Sequence, residues 1–132
     1  MTTLAENTPR GFLLGELEHY PVIAADIIYQ GAAVGENGSG YSRPLQAGDP
    51  FQGFAEEKAD NSTGTAGAIN VQVRQRGKVT LAVAGATAIT ANDRQAVYAS
   101  DDNTFTLTVG SNSLIGYVSR WISSGLAVVE FD

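Results

Sequence analysis

The sequence predicts an all-β protein, a small β-sandwich or barrel of short antiparallel strands with an extended N-terminal arm. Three observations carry this reading. Apolar and polar residues alternate with a period of two, no segment shows a comparable helical period, and clusters of Gly, Asn, Asp and Ser interrupt the chain at intervals of about 8–12 residues. The 132 residues suit one domain. A chain of this length buries roughly two-thirds of its unfolded surface, enough for a core without covalent staples.

The elements follow in chain order. Residues 1–20 read as an arm without a regular period, given apolar anchors by Phe12, Leu13, Leu14 and Leu17. Such arms order against a partner. The β domain spans 21–132. Residues 22–29 are apolar and β-branched and read as a strand ending at Gln30-Gly31. Gly-Glu-Asn-Gly-Ser-Gly at 35–40 reads as a flexible loop, and 51–55 as a strand after the Gly48-Asp49-Pro50 turn. The polar, small-residue stretch 56–67 reads as an exposed loop. Ile69, Val71 and Val73 then alternate with Asn70, Gln72 and Arg74, Gly77 permits a bend, and Val79, Leu81 and Val83 resume the alternation. Further strands are predicted at 96–99, 104–109, 114–120 and 126–131, separated by turn residues at 91–93, 100–103, 110–113 and 123–125.

Composition narrows the chemistry. There is no cysteine and one histidine, which excludes disulfides, thiolate zinc sites, iron–sulfur clusters, cysteine nucleophiles and multi-histidine metal centres. No metal or cofactor is expected. Eight basic residues stand against 14 acidic ones, a formal charge of −6, whereas a nucleic-acid binder needs a basic stripe. The one local basic cluster, Arg74, Arg76 and Lys78, has the i, i+2, i+4 spacing of a single strand face and reads as solvated surface. No direct contact with nucleic acid is expected. No stretch approaches the ~18 apolar residues of a membrane helix, and Met-Thr-Thr-Leu-Ala-Glu-Asn lacks the basic and apolar regions of a secretory signal. The expectation is a soluble chain that stays where it is made.

Each motif that could carry chemistry has a plainer explanation. The glycine-rich loop 35–40 lacks the Gly-Lys-Ser/Thr ending of a P-loop and the Gly-x-Gly-x-x-Gly order of a dinucleotide fold. Asp101-Asp102-Asn103 falls where a hairpin needs turn residues, without the twelfth-position glutamate of a calcium loop. Asn61-Ser62-Thr63 fits the glycosylation pattern but lacks a secretory route. His19 precedes Tyr20-Pro21 in the irregular arm, and no Gly-x-Ser-x-Gly elbow accompanies it. Glu56 and Glu57, if extended, point to opposite faces. Tyr98, Phe105, Tyr117, Trp121 and Phe131 lie in predicted strands, and Trp121 and Tyr117 are assigned to core or oligomer packing. No catalytic residue is identified, and the protein is not expected to be an enzyme.

Several runs together carry a family resemblance. They are Gly-Asp-Pro-Phe-Gln-Gly-Phe-Ala at 48–55, Ala-Asp-Asn-Ser at 59–62, Val-Gln-Val-Arg-Gln-Arg-Gly at 71–77 and Ala-Val-Tyr-Ala-Ser-Asp-Asp-Asn-Thr-Phe-Thr-Leu-Thr at 96–108. Asn-Ser-Leu-Ile-Gly at 112–116, Val-Ser-Arg-Trp at 118–121 and Gly-Leu-Ala-Val-Val-Glu-Phe at 125–131 complete the series. In order and spacing, over about residues 20–132, they resemble the capsid cement, or decoration, proteins of tailed phages. The resemblance implies a β-rich structural protein made in the host cytoplasm and bound to the outer surface of the virion head. Its partner would be a major capsid protein of the HK97-like fold, with the cement protein a homo-oligomer, a trimer in the usual case and a dimer in other cement families.

A clamp across neighbouring capsid subunits would oppose the internal pressure of packaged DNA, and an oligomer would gain avidity from several weak contacts. Only Lys58 and Lys78 are available for an isopeptide cross-link, which favours non-covalent clamping. Phe12, Leu13 and Leu14, apolar yet outside the strands, are the expected capsid contact. The alternative is a virion-surface carbohydrate- or receptor-binding module, which an exposed coplanar set among Tyr41, Tyr98 and Trp121 would favour.

Overall fold

Alternating burial along the strands builds two packed lobes. The computed structural model describes residues 3, 5–7, 9–10, 15–88 and 93–132. Its strands are β1 (Leu17–Pro21), β2 (Asp26–Ile28), β3 (Ala33–Glu36), β4 (Ser42–Pro44), β5 (Phe51–Ala55), β6 (Ala59–Asn61), β7 (Asn70–Arg74), β8 (Gly77–Ala84), β9 (Ala96–Asp101), β10 (Thr104–Thr106), β11 (Ser113–Ser123) and β12 (Leu126–Phe131). The first seven form one lobe and the last five the other.

In the first lobe, β1-β7-β5-β3-β4 make an antiparallel sheet beside a β2–β6 ribbon. Val71 and Val73 of β7 point inward between the more exposed Asn70, Gln72 and Arg74, as the period of two requires. They pack with Val22, Ile28, Ala32, Val34, Ala55 and Ala59. A parallel bridge joins Val22 to Ser42, and the Ile23 amide donates to the Ser42 carbonyl at 2.9 Å. The chain leaving β1 thus meets β4, and the sheet curls toward closure.

The second lobe is a closed five-stranded barrel in the order β10-β8-β12-β11-β9. Only β10 and β8 run parallel. Strand β11 is 11 residues long, and register shifts at Leu114/Gly116, Val118/Arg120 and Trp121/Ser123 bend it around the barrel. Val83, Val97, Ala99, Phe105, Ile115, Val118, Ala127, Val129 and Phe131 fill the interior.

The lobes share this core. Ala33, Leu45 and Phe54 of the first lobe are buried in the barrel cluster, with Phe51 packed against it. Phe54 lies 5.0 Å from Phe131, 5.3 Å from Phe51 and 6.1 Å from Phe105 between ring centroids, within the range of favourable edge-to-face and tilted pairs. The Ala33 amide donates to the Asp102 carbonyl at 2.9 Å, and a bridge links Gln46 to Asp101.

The all-β class with a small barrel agrees with the sequence reading, and β5, β7 and β12 match it closely. Several local expectations are corrected. Residues 17–20, read as the end of the arm, belong to β1, because β7 supplies their hydrogen-bonding partners. The segment 22–29 is not one strand: Ala25 takes a positive φ of 58°, turning the chain between β1 and β2. The polar stretch 56–67 contains β6, paired with β2, and Gly35 and Glu36, read as the start of the 35–40 loop, are the end of strand β3. Strand β10 ends at Thr106, leaving Val109 58% exposed. Arg74, Arg76 and Lys78 do not share a strand face, since Arg76 lies between β7 and β8.

Candidate functional site

Strand β11 carries the most prominent apolar surface. Its run Ser-Leu-Ile-Gly-Tyr-Val breaks strict alternation with two apolar doublets, Leu114-Ile115 and Tyr117-Val118. One member of each doublet fills the barrel. Ile115 and Val118 are buried, while Leu114 is 48% exposed and Tyr117 is 47% exposed. Tyr98, half-buried, sits opposite Leu114 on β9.

A cleft of about 360 Å³ opens beside them, lined by Phe51, Leu114, Ile115, Gly116, Tyr117, Glu130, Phe131 and Asp132. Gly116 is required there. A Cβ at this position would run into the Glu130 carbonyl of β12, so the close approach of the two strands forms the cleft floor. Charge surrounds the apolar centre: Glu130 pairs with Arg94 at 3.2 Å and Asp132 with Arg76 at 3.9 Å. An apolar centre within a polar rim is the anatomy of a protein-docking surface.

The arm enters at the same margin. The Glu16 carbonyl accepts the Gln75 amide at 2.8 Å, and the Glu16 carboxylate approaches Arg74 at 3.8 Å. Phe12, Leu13 and Leu14, expected to contact a capsid, lie outside the described residues. They precede Gly15, which packs against the Arg76 guanidinium, the same group that reaches Asp132 at the cleft.

The remaining sequence candidates are dispersed. Trp121 is half-buried against the barrel core, whereas Tyr117 belongs to the surface. Tyr41, Tyr98 and Trp121 are all half-buried, with Tyr41 on the first lobe and the others on β9 and β11. His19 stands exposed on β1 opposite Gln72. Asn61 is buried and structural, its Nδ2 donating to the Ile23 and Thr65 carbonyls at 2.9 Å each. Asp101 performs turn chemistry by accepting the Asn103 amide at 2.9 Å. That bond, with the Thr104 hydroxyl, holds its carboxyl below the usual range. Among the described residues, no group of three or more His, Asp or Glu side chains is placed to hold a metal ion.

A second, polar cleft of about 520 Å³ is lined by Tyr29, Gln30, Gly31, Ala32, Asp102 and Asn103. Lys58 Nζ lies 5.3 Å from the Tyr29 ring centre. Burial raises the Asp102 pKa, reinforced by the charges of Asp101 and Asp26.

Sequence reasoning missed Leu114, Phe51 and Tyr29 as surface determinants. For Leu114 the doublets are the available signal, because adjacent apolar residues in a strand must occupy opposite faces. Comparison with protein-family models, curated proteins and solved structures finds no match to this chain.

Proposed function

We propose that this chain is a capsid cement protein of a tailed phage, a homotrimer that clamps neighbouring subunits of an HK97-like major capsid protein on the outside of the expanded head. The observation that carries the reading is the charged-rimmed apolar face of β11, with Leu114 and Tyr117 exposed beside a cleft. It gives a β-rich chain a surface suited to another protein. The family resemblance of residues 20–132 supplies the partner class.

The test mixes the purified chain with expanded and unexpanded phage heads lacking decoration, and follows co-sedimentation. Selective pelleting with expanded heads is expected, with trimers in analytical ultracentrifugation. The double variant Leu114→Glu, Tyr117→Glu should weaken binding about tenfold or more while leaving the barrel folded. Failure of the wild-type chain to bind expanded heads overturns the assignment. Deleting residues 2–14, and no further because β1 begins at Leu17, should also reduce binding.

A second reading, a carbohydrate- or receptor-binding virion module, draws on the Tyr29 cleft, where an aromatic ring adjoins amide and carboxylate side chains. Glycan-array binding abolished by Tyr29→Ala, with no binding to heads, would select it.

A further inference from the structure

The five-residue connection between β3 and β4 holds three reactive parts in one place. Asn37 is followed by Gly38, and the loop closes through the Asn37 amide donating to the Tyr41 carbonyl at 2.9 Å. The Asn37 Oδ1 accepts two backbone amides, from Ser39 at 2.8 Å and Tyr41 at 3.2 Å. The next amide, of Gly38, points elsewhere: it donates to Glu36 Oε1 at 2.9 Å, and the Gly40 amide donates to the same oxygen at 2.6 Å.

Two amides on a carbonyl oxygen withdraw charge from its carbon and are placed to stabilise the oxyanion formed when a nucleophile adds there. A carboxylate accepting the hydrogen of an amide is placed to remove that proton as the nitrogen attacks. Attacker and acceptor belong to adjacent residues, so the encounter is intramolecular. Gly38 also leaves the path open. A Cβ there would meet nothing within 4 Å, and φ is +88°. Residues 38–40 are exposed, so water reaches the loop.

Other asparagines are held in the opposite sense. Asn61 and Asn112 donate through Nδ2 to backbone carbonyls, Asn61 at 2.9 Å twice and Asn112 at 3.1 Å. These bonds restrain the group that would have to leave. At Asn37 the restrained atom is the oxygen.

We propose that Asn37-Gly38 is a self-modification site, at which the Gly38 nitrogen closes on Asn37 Cγ with Glu36 as the base. The N–Cγ bond forms, the proton passes from Gly38 to the Glu36 carboxylate and on to the departing Nδ2, and the Cγ–Nδ2 bond breaks to release ammonia. Water then opens the succinimide at either carbonyl, leaving aspartate or isoaspartate at position 37. No oxidant or further reactant is needed. The product adds one negative charge to a chain already at −6, on an exposed hairpin of the first lobe. The inference does not depend on the capsid reading.

The full-length protein is incubated at neutral pH, and conversion at each asparagine is followed by peptide mapping, with isoaspartate detected by enzymatic methyl labelling. Asn37 should convert ahead of Asn61 and Asn112 in the same sample. Glu36→Gln keeps an acceptor oxygen for the Gly38 and Gly40 amides but lacks the base, and should slow conversion at Asn37 by about tenfold or more. An Asn37 no faster than Asn61 and Asn112 overturns the site. Conversion of the Glu36→Gln chain at the wild-type rate, with an unchanged circular dichroism spectrum, overturns the assignment of Glu36.

Discussion

The two lobes solve the same packing problem with different materials. The barrel surrounds a large apolar interior into which Phe105 and Phe131 project. The buried members of the first lobe's own cluster are all small or aliphatic, with Tyr20 packed at its edge, and the lobe relies on polar fasteners. Arg43 binds Asp49 through two nitrogens, at 3.0 and 2.8 Å, and Asp49 also accepts the Gln46 amide at 3.0 Å. Arg74 grips Glu56 in the same two-pronged way, at 3.1 and 2.9 Å. Ser42 donates to Gln52. A thin core specifies strand positions weakly, and directional bonds supply the missing specification.

The largest effect is expected where the lobes meet. Phe54→Ala removes a ring in contact with Phe51, Phe105 and Phe131, and should cost about 3–5 kcal/mol in denaturant unfolding. It should also separate the lobes into two transitions monitored by Trp121 fluorescence and hydrogen exchange. A single transition with a small loss would mean that other contacts hold the junction.

Gly53→Ala should cost somewhat less, roughly 2–3 kcal/mol. Gly53 has a φ of +132°, and a Cβ there would strike the Arg74 carbonyl across β7. Gly116 is the barrel's counterpart, blocked by the Glu130 carbonyl but without a positive φ. Gly116→Ala should therefore be the milder of the two, as measured by thermal unfolding. Equal losses would remove backbone conformation as the difference.

Asp49→Ala tests the polar fasteners. It leaves the Arg43 guanidinium without its partner and the Gln46 amide without its acceptor, and should cost roughly 2 kcal/mol. Burial pushes the Asp49 carboxyl up, but the Arg43 hydrogen bond, the Gln46 amide and the Arg43 charge together hold it below its ordinary value. Its stabilisation is therefore complete above the unfolded carboxylate range and is lost as pH falls through the lowered folded value. Acid should loosen the first lobe before the barrel, as hydrogen exchange across an acid titration would show.

Asp102, at the junction, has the opposite sign and the smallest effect. Its raised pKa means that the ionised form costs stability, and the cost is relieved as pH falls through the raised value toward the unfolded one. Asp102→Asn should stabilise the protein slightly at neutral pH, a gain that disappears on acidification because the wild-type carboxyl is then neutral too. Destabilisation by this variant would indicate an unrecognised role for the carboxylate.

Legibility in the sequence also divides between the lobes. In the barrel, β8 is visible because Val79, Leu81 and Val83 alternate with the more exposed Lys78, Thr80 and Ala82, and β12 because it is a short, largely apolar run that follows the turn residues at 123–125. In the first lobe, β6 is Ala-Asp-Asn, without any apolar pattern; it is a strand because β2 offers it hydrogen-bond partners and because Asn61 is tied to Ile23 and Thr65. Strand β1 hides for a similar reason, as its residues are mostly exposed and its order comes from β7. The candidate site was legible only as aromatic residues in strands. Tyr117 on the surface and Trp121 against the core lie in the same strand, and the bulges along β11 decide which side each one faces.

The amino-acid order alone therefore determined the all-β class, the positions of the strongly alternating strands, the turn chemistry and the absence of cysteine-based chemistry, because these follow from local periodicity and composition. Tertiary structure alone decided that the second half closes into a barrel and that Phe51 and Phe54 of the first lobe complete its core. It also decided that Leu114 and Tyr117 face outward beside a cleft. Closure, register shifts and burial depend on which distant strands meet, and partners separated by tens of residues leave little trace in the period of either strand.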